Sequence, residues 1–244
     1  MYYGAETFEK LTMENIDQEE VNKFDAIAEK WWDLEGEFKP LHQINPLRVG
    51  FINDRTDLKG AKVLDIGCGG GILSESLSKL GAEVIGIDAS EKTIGVAKAR
   101  SNKVGSNITF LQMTLEDYIN SENTQKFDVI TCLELLEHVP EPSQLVKGSK
   151  SLLKKDGKIF FSTINRNPKS YLFAILGAEY ILNLLPRGTH EFDKFIKPSE
   201  LSRWLRDSGL NQEEIIGLSY NPLTNHYWLG EDVQVNYMVY ASNE

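Results

Sequence analysis

A glycine-rich turn at residues 67–71 constrains this chain more than any other stretch. Residues 63–66 before it are mostly apolar, as in a strand that is covered on both faces. Gly67, Gly69 and Gly71 follow at alternate positions. Glycine adopts positive φ readily and has no side chain, so a ligand can approach the backbone closely. A helix is expected after the turn, and the segment therefore predicts the first strand, turn and helix of a ligand-binding α/β fold.

A carboxylate ends the second predicted strand, at residues 83–88. Asp88 lies 21 residues after Gly67. In a β–α–β unit this spacing brings the end of the second strand beside the glycine turn, where an aspartate can accept hydrogen bonds from both hydroxyls of a ribose. We therefore predict a ligand that contains a nucleoside.

Two residues near the turn indicate which nucleoside. The dinucleotide-binding pattern needs a third glycine where this chain has Ile72, and Asp65 would repel a pyrophosphate. A carboxylate at that position suits a cationic ligand, and S-adenosyl-L-methionine carries a sulfonium and an amino group. Together, Asp65, the turn and Asp88 resemble the cofactor site of class I S-adenosylmethionine-dependent methyltransferases. The same two residues disfavour the alternative, a nicotinamide-dependent oxidoreductase.

The composition narrows the class of partner and the compartment. The chain has 244 residues and a formal net charge of −10, which argues against a nucleic-acid partner because phosphate binding needs a basic surface. Its two cysteines, Cys68 and Cys132, form no framework for disulfides or zinc and fit a reducing compartment. No secretory leader is visible, and no apolar run reaches the roughly 20 residues of a membrane span.

The order of predicted elements defines the fold class. Strands and helices alternate up to residue 163, which predicts a doubly wound, mostly parallel α/β sheet. Two antiparallel strands, at 215–220 and 233–240, complete a predicted sheet of seven. We expect residues 1–16 to form a flexible tail and residues 17–244 a single domain, which includes an N-terminal cap at 17–56 and an apolar insert with a flap at 165–197.

The cap contains several unusual residues. Asp17 with Glu20 predicts a capping box at the start of an amphipathic helix. The tryptophan-rich segment 31–42 is too polar and too broken for one helix, and either packs on the sheet as a cap or covers the cofactor site as a lid. Pro46 predicts the first turn of another helix. Arg48 in that helix is either a solvated charge or the partner of the cofactor's carboxylate.

Glutamates and a histidine follow the third and fourth strands, where ligands bind in open α/β sheets. Glu116 either accepts the exocyclic amine of adenine or starts the next helix. If residues 134–138 are helical, Glu134, Glu137 and His138 share one face. Three interpretations are open: a divalent cation such as Mg²⁺ bound by all three, an acid/base pair of His138 and Glu137 without metal, or a structural role. His190 is a second candidate base.

The insert is apolar nearly all round at residues 171–185, yet it is too short to span a membrane. Lys169 and Arg187 flank it and could reach lipid headgroups. Two interpretations are open: a helix buried in the core or in a dimer contact, and a segment that lies in the membrane surface and admits a lipid substrate.

Six segments of the chain resemble the ubiquinone-biosynthesis O-methyltransferase family: 31–42, 45–48, 67–71, 137–140, 177–180 and 195–198. The resemblance covers about residues 17 to 240. It implies methylation of polyprenylated phenol and quinol precursors of ubiquinone, with cofactor contacts at Arg48, Gly67, Asp88 and Leu133. In mitochondrial members, a divalent cation is associated with the positions of Glu134, Glu137 and His138. The family further implies a cytoplasmic protein, peripheral to the inner membrane and close to other ubiquinone-biosynthesis enzymes.

The chemistry that this resemblance implies requires an activated phenol. A phenol has a pKa near 10, so only about one part in a thousand is ionised at neutral pH. Either a base or a bound cation would supply the activation, which is worth up to roughly 4 kcal/mol. A competing class is a lipid-binding or scaffolding protein with a vestigial methyltransferase fold, which the intact cofactor residues disfavour.

Overall fold

Strands and helices alternate along the computed structural model, which describes residues 15–171 and 191–243. The strands are β1 (Lys62–Ile66), β2 (Glu83–Asp88), β3 (Thr109–Gln112), β4 (Phe127–Leu133), β5 (Leu153–Ile164), β6 (Asn211–Asn221), β7 (His226–Gly230) and β8 (Asn236–Ser242). The helices are α1 (Gln18–Ile27), α2 (Lys39–Asn53), α3 (Ile72–Lys79), α4 (Glu91–Val104), α5 (Leu115–Asn120), α6 (Pro142–Leu152), α7 (Pro168–Ser170) and α8 (Pro198–Asp207).

All eight strands form one sheet in the order β3-β2-β1-β4-β5-β8-β6-β7. The five strands from β3 to β5 are parallel, and β8, β6 and β7 are antiparallel to their neighbours. The strand order reverses between β1 and β4, so the crevice for a ligand lies at their carboxyl ends. The doubly wound fold is confirmed.

The predicted count of seven strands is wrong, because β7 forms an eighth at the edge of the sheet. Asn225 adopts positive φ at 51°, reverses the chain, and lets β7 pair with β6. Two aromatic residues, Tyr227 and Trp228, follow this turn, and they are the feature of the sequence from which β7 could have been predicted. The strand is five residues long and none of its residues is fully buried, so it lacks the buried apolar run of the central strands.

Both faces of the sheet are covered by helices. Along β1, β4 and β5, successive side chains alternate between two core clusters. The six residues named next, two from the middle of each strand, are fully buried. One cluster contains Leu64, Ile130 and Phe161; the other contains Val63, Val129 and Phe160. This burial fixes the register of the strands, because a slip of one residue would exchange the two faces.

The second cap helix starts earlier than expected. Helix α2 begins at Lys39, so Pro40 occupies its first turn and Pro46 lies inside it. Proline inside a helix removes one hydrogen bond, but here the residues around it are held by tertiary contacts. Ile44 and Phe51 are buried, and Asn45 Nδ2 donates to Ser76 Oγ on α3 at 2.8 Å.

Some predicted features lie outside the described residues. These are residues 1–14 of the predicted tail, residues 172–185 of the apolar insert, Arg187 and His190. Within the described ranges, no helix has the length and apolar character to cross a membrane.

Candidate active site

The glycine turn has the backbone conformation that the sequence predicted. Gly67, Gly69 and Gly71 have φ of 67°, 54° and 85°, a region that residues with side chains rarely adopt. The amides of Gly67 and of the next residue donate to Ile87 O on β2 at 2.9 and 3.0 Å. A Cβ added at Gly69 would lie 2.1 Å from the Trp31 ring. The turn therefore requires glycine both for its conformation and for the close approach of the cap.

Asp88 closes the turn from the end of β2. Its carboxylate accepts hydrogen bonds from Gly69 N at 3.0 Å and from Ser90 N at 2.9 Å. Burial raises the pKa of Asp88, and these backbone bonds oppose that rise. The side chain lines the same cavity as the turn, which is the position that the ribose prediction needs.

The carboxylate of Asp65 is buried, and it binds other protein groups as well as lining the cavity. Its carboxylate accepts from Ser74 Oγ on α3 at 2.6 Å and from Thr131 Oγ1 on β4 at 2.8 Å. Burial raises the pKa of Asp65 to about 6 against these hydrogen bonds. Asp65 therefore joins β1 to its neighbours and, when ionised, adds negative potential to the cavity that it lines.

Arg48 is a buried residue of the site, not a solvated charge. Only 7% of it is exposed, and its Nη2 donates to Glu134 Oε1 at 2.8 Å. The Arg48 Nε is buried and has no hydrogen-bond partner within residues 15–171 and 191–243. Glu134 has positive φ at 53° and also accepts from Ser162 Oγ at 2.6 Å and from Asn236 Nδ2. The guanidinium thus keeps an unused donor beside the cavity.

The two acids at the start of α5 have different roles. Asp117 forms a capping box with Thr114 and starts the helix. Glu116 is buried, lines the cavity, and has an Oε1 atom with no partner in the described part of the chain. Burial raises the pKa of Glu116. A buried acceptor without a partner fits an amine of a bound ligand. Leu133, at the end of β4, also lines this cavity.

Residues 134–138 do not form the helix that a shared face of the three side chains would require. The chain takes only a short 3-10 turn over Leu136–His138, because Glu134 has the left-handed conformation. The three predicted ligands have different main partners: Glu134 contacts Arg48, Glu137 accepts from Thr163 Oγ1 at 2.8 Å and lies beside Glu134, and His138 contacts Glu20. No group of three His, Cys, Asp or Glu side chains in the described ranges is arranged to hold a metal ion. The described residues therefore offer no ready-made set of three ligands for a divalent cation.

Glu137 has a strongly shifted pKa. It is 3% exposed, and burial together with the charge of Glu134 raises its pKa well above the ordinary value. Its Oε1 has no hydrogen-bond partner among the residues described. A buried carboxyl group that stays protonated can donate a hydrogen bond as well as accept one.

Glu20 is a site residue that sequence reasoning missed. Asp17 caps α1 as expected, but Glu20 does not complete the capping box. Its Oε2 instead lies 2.8 Å from His138 Nδ1, and Phe24 packs edge-on against the imidazole. Burial opposes ionisation, but hydrogen bonds from His138 and Lys23 lower the pKa of Glu20 to about 2. A signal was present, since Glu20 shares the apolar face of α1 with Phe24 four residues later.

These groups line one cavity of roughly 810 Å³. The N-terminal cap covers its cofactor end, where Trp32 Nε1 donates to Gly70 O at 2.9 Å and Trp31 packs over the turn. This contact favours the lid interpretation of residues 31–42. A glycine cradle with Asp88 at its edge, Glu116 with an unpartnered oxygen, and a buried guanidinium fit the ribose, amine and carboxylate groups of S-adenosylmethionine.

Comparisons with known proteins identify the domain and the fold. A family model described as a methyltransferase domain matches residues 44–215. The crystal structure of magnesium protoporphyrin IX methyltransferase from Synechocystis PCC 6803 with bound SAH is 21% identical, with a TM-score of 0.70 over 93% of this chain and 100% of that chain. A SAM-dependent methyltransferase from Aquifex aeolicus is 16% identical, with a TM-score of 0.57 over 94% of this chain and 100% of that one. Fold and site define a class I S-adenosylmethionine-dependent methyltransferase.

Curated relatives give a narrower assignment. The ubiquinone biosynthesis O-methyltransferase of Pseudomonas syringae pv. tomato is 57% identical over 95% of this chain and 100% of its own length. That of Stutzerimonas stutzeri is 56% identical with the same coverage. The chain belongs to the ubiquinone biosynthesis O-methyltransferase family.

Proposed function

We propose that this protein transfers a methyl group from S-adenosylmethionine to a phenolic hydroxyl of polyprenylated ubiquinone precursors. The substrates are 3-demethylubiquinol and the earlier 2-polyprenyl-6-hydroxyphenol. The observation that carries this proposal is a single cavity lined both by the cofactor turn with Asp88 and by Glu137 with His138. High identity to relatives named for this pathway supports it.

The cofactor is assigned to the end of the cavity at β1 and β2. Arg48 would meet its carboxylate, Asp88 its ribose and Glu116 its adenine amine. The residues Asp65, Gly67, Gly69 and Leu133 complete the contacts that would hold it. When bound, it supplies an electrophilic methyl group on a sulfonium.

His138 is assigned as the base that removes the phenolic proton. Glu20 accepts a hydrogen bond at His138 Nδ1, which fixes the orientation of the imidazole that would take the phenolic proton. General bases of this kind contribute about 10² to 10⁴ in rate. Protonated Glu137 would donate a hydrogen bond to a ring oxygen of the substrate and orient it. Neither role uses a metal ion.

The lipid character of the substrates indicates where in the cell the protein acts. The prenyl tail places the substrates in a bilayer, and we assign the protein to the cytoplasmic surface of the inner membrane, among other enzymes of ubiquinone biosynthesis. Residues 169–187 are assigned to the membrane contact. Changing Leu176 and Ile181 to Asp tests this: liposome binding should disappear while a soluble short-chain analogue is still methylated, and unchanged liposome binding would refute the contact.

Methyl transfer from labelled S-adenosylmethionine to a demethylubiquinol analogue tests the main proposal. We expect the wild type to label the phenolic oxygen, and the His138→Ala variant to lose about 10²-fold or more in turnover at similar cofactor affinity. Absence of transfer by a wild type that binds the cofactor would refute the substrate class. Near-normal turnover of the variant would refute the base.

A further inference from the structure

The hairpin formed by β6 and β7 extends beyond the rest of the sheet. Leu218 on β6 pairs with Asn236, the first residue of β8, but β6 and β7 continue to the pair of Asn221 and His226. Three further residues of strand add about 10 Å. Asn236 also pairs with Ile164, the last residue of β5, so the extension lies at the carboxyl edge of the parallel strands. That edge is where the cavity opens.

A tyrosine pair forms the cavity wall on this extension. Tyr220 and Tyr227 are direct partners in the ladder, and their ring centroids are 4.3 Å apart. Leu218, two residues before Tyr220, lies on the same face of the hairpin because side chains alternate along a strand. All three line the cavity that contains the glycine turn and His138.

The pair presents an apolar surface. Tyr220 Oη donates to Asn225 Oδ1 at 2.7 Å, so its hydroxyl is used within the hairpin. Burial, and then Tyr220, raise the pKa of Tyr227 to about 12, so this ring is neutral at physiological pH. Two charged residues that also line the cavity, Lys169 and Asp232, neutralise each other in an ion pair at 2.6 Å.

The position of the wall indicates its ligand. The groups assigned to the phenolic oxygen, His138 and Glu137, follow β4, whereas the tyrosines lie on the hairpin at the edge of the sheet, and both sets line the same cavity. Lys169 ties the hairpin to the point where the insert leaves the sheet, beside the aromatic contact of Tyr171 with Phe192 at 5.5 Å. An extended apolar tail attached to a bound ring would run along this wall.

We propose that Leu218, Tyr220 and Tyr227 form a binding subsite for the isoprenoid tail of the substrate, next to the polar groups that hold its ring. This inference rests on the proposed function. It predicts that the hairpin determines selectivity for prenylated over unprenylated rings, a property that neither the cofactor turn nor His138 can supply.

Two catechols test the subsite, one with a farnesyl tail and one without. The Tyr227→Ser variant should raise the KM of the farnesylated catechol about tenfold, because it removes one buried aromatic contact, and should leave the KM of the tail-less catechol unchanged. Leu223→Ser is the matched control, since this residue is on the same hairpin, is 93% exposed and does not line the cavity. Equal effects on both catechols, or equal effects of both variants, would overturn the subsite.

Farnesol, which lacks the ring, supplies a readout without catalysis. Calorimetry should show that the wild type and Leu223→Ser bind farnesol and that Tyr227→Ser binds it about tenfold more weakly. Unchanged binding by Tyr227→Ser would refute the subsite. If Tyr227→Ser fails to bind the cofactor, Tyr220→Ser replaces it. A wild type that binds farnesol but methylates neither catechol would refute the proposed function and leave the subsite standing. A wild type that methylates both catechols with the same KM would refute the subsite and leave the proposed function standing.

Discussion

Glu20 and His138 are 118 residues apart in sequence, yet Glu20 Oε2 lies 2.8 Å from His138 Nδ1. The contact joins the first helix of the cap to the loop after β4. It orients the assigned base and makes that base dependent on a docked cap.

The Glu20→Gln variant should therefore lower kcat about tenfold to a hundredfold, because a neutral amide no longer favours the imidazolium that forms during proton transfer. Cofactor affinity should stay the same. Steady-state kinetics and calorimetry measure the two quantities. Lys23→Met is the control, since it removes an exposed cation from Glu20 and leaves His138 in place. Equal losses in both variants would contradict a role of Glu20 through His138.

The same carboxylate should make stability depend on pH. The pKa of Glu20 falls from 4.5 to about 2 on folding, so its contribution is present above pH 4.5 and is lost as the pH falls toward 2. Urea unfolding should show Glu20→Gln less stable than wild type by about 2–4 kcal/mol at pH 7, and the difference should shrink between pH 5 and pH 2. A difference that is constant over this range would contradict the assignment.

Arg48 should have two alternative partners, Glu134 and the cofactor's carboxylate. Arg48→Met should weaken cofactor binding about tenfold to a hundredfold, because a charge-assisted hydrogen bond is lost. Glu134→Gln should bind the cofactor at least as tightly as wild type, since the amide competes less for the guanidinium. Calorimetry with S-adenosylmethionine distinguishes the two variants. Weaker binding in both would mean that the ion pair itself shapes the cofactor site.

Two glycines offer a matched test of the turn. Gly69→Ala should destabilise the protein by about 1–3 kcal/mol, because its φ is positive and the new methyl group would overlap Trp31. Gly50→Ala in α2 should instead stabilise it by about 0.5–1 kcal/mol, since no atom lies within 4 Å of the added Cβ. Urea unfolding measures both. Similar effects at both positions would show that the cap does not pack on the turn in solution.

Removal of metal should leave activity in place. Glu134, Glu137 and His138 contact different partners, and protein groups already supply the proposed activation. The test is turnover of a chelator-treated preparation, with and without added Mg²⁺. Restoration of activity by Mg²⁺ alone would mean that these three side chains rearrange around a cation.

The parts of the fold that sequence could predict are those set by local patterns. Strand β2 has its predicted bounds, and the conformation of the glycine turn and the position of Asp88 beside it follow from short-range chemistry. A helix over residues 134–138 was the condition under which their spacing would place Glu134, Glu137 and His138 on one face. The structure differs because Arg48, Thr163 and Glu20, from three distant segments, bind these side chains. Contacts between residues so far apart in the chain produce no periodic pattern that a single sequence could reveal.

The packing of Trp31 on the glycine turn has a consequence for synthesis of the chain. The indole belongs to a segment that is synthesised before residues 67–71, and those residues form the surface on which it packs. During translation, the apolar side of the first helix and the tryptophans that follow it therefore stay uncovered until the first strand and the turn have emerged.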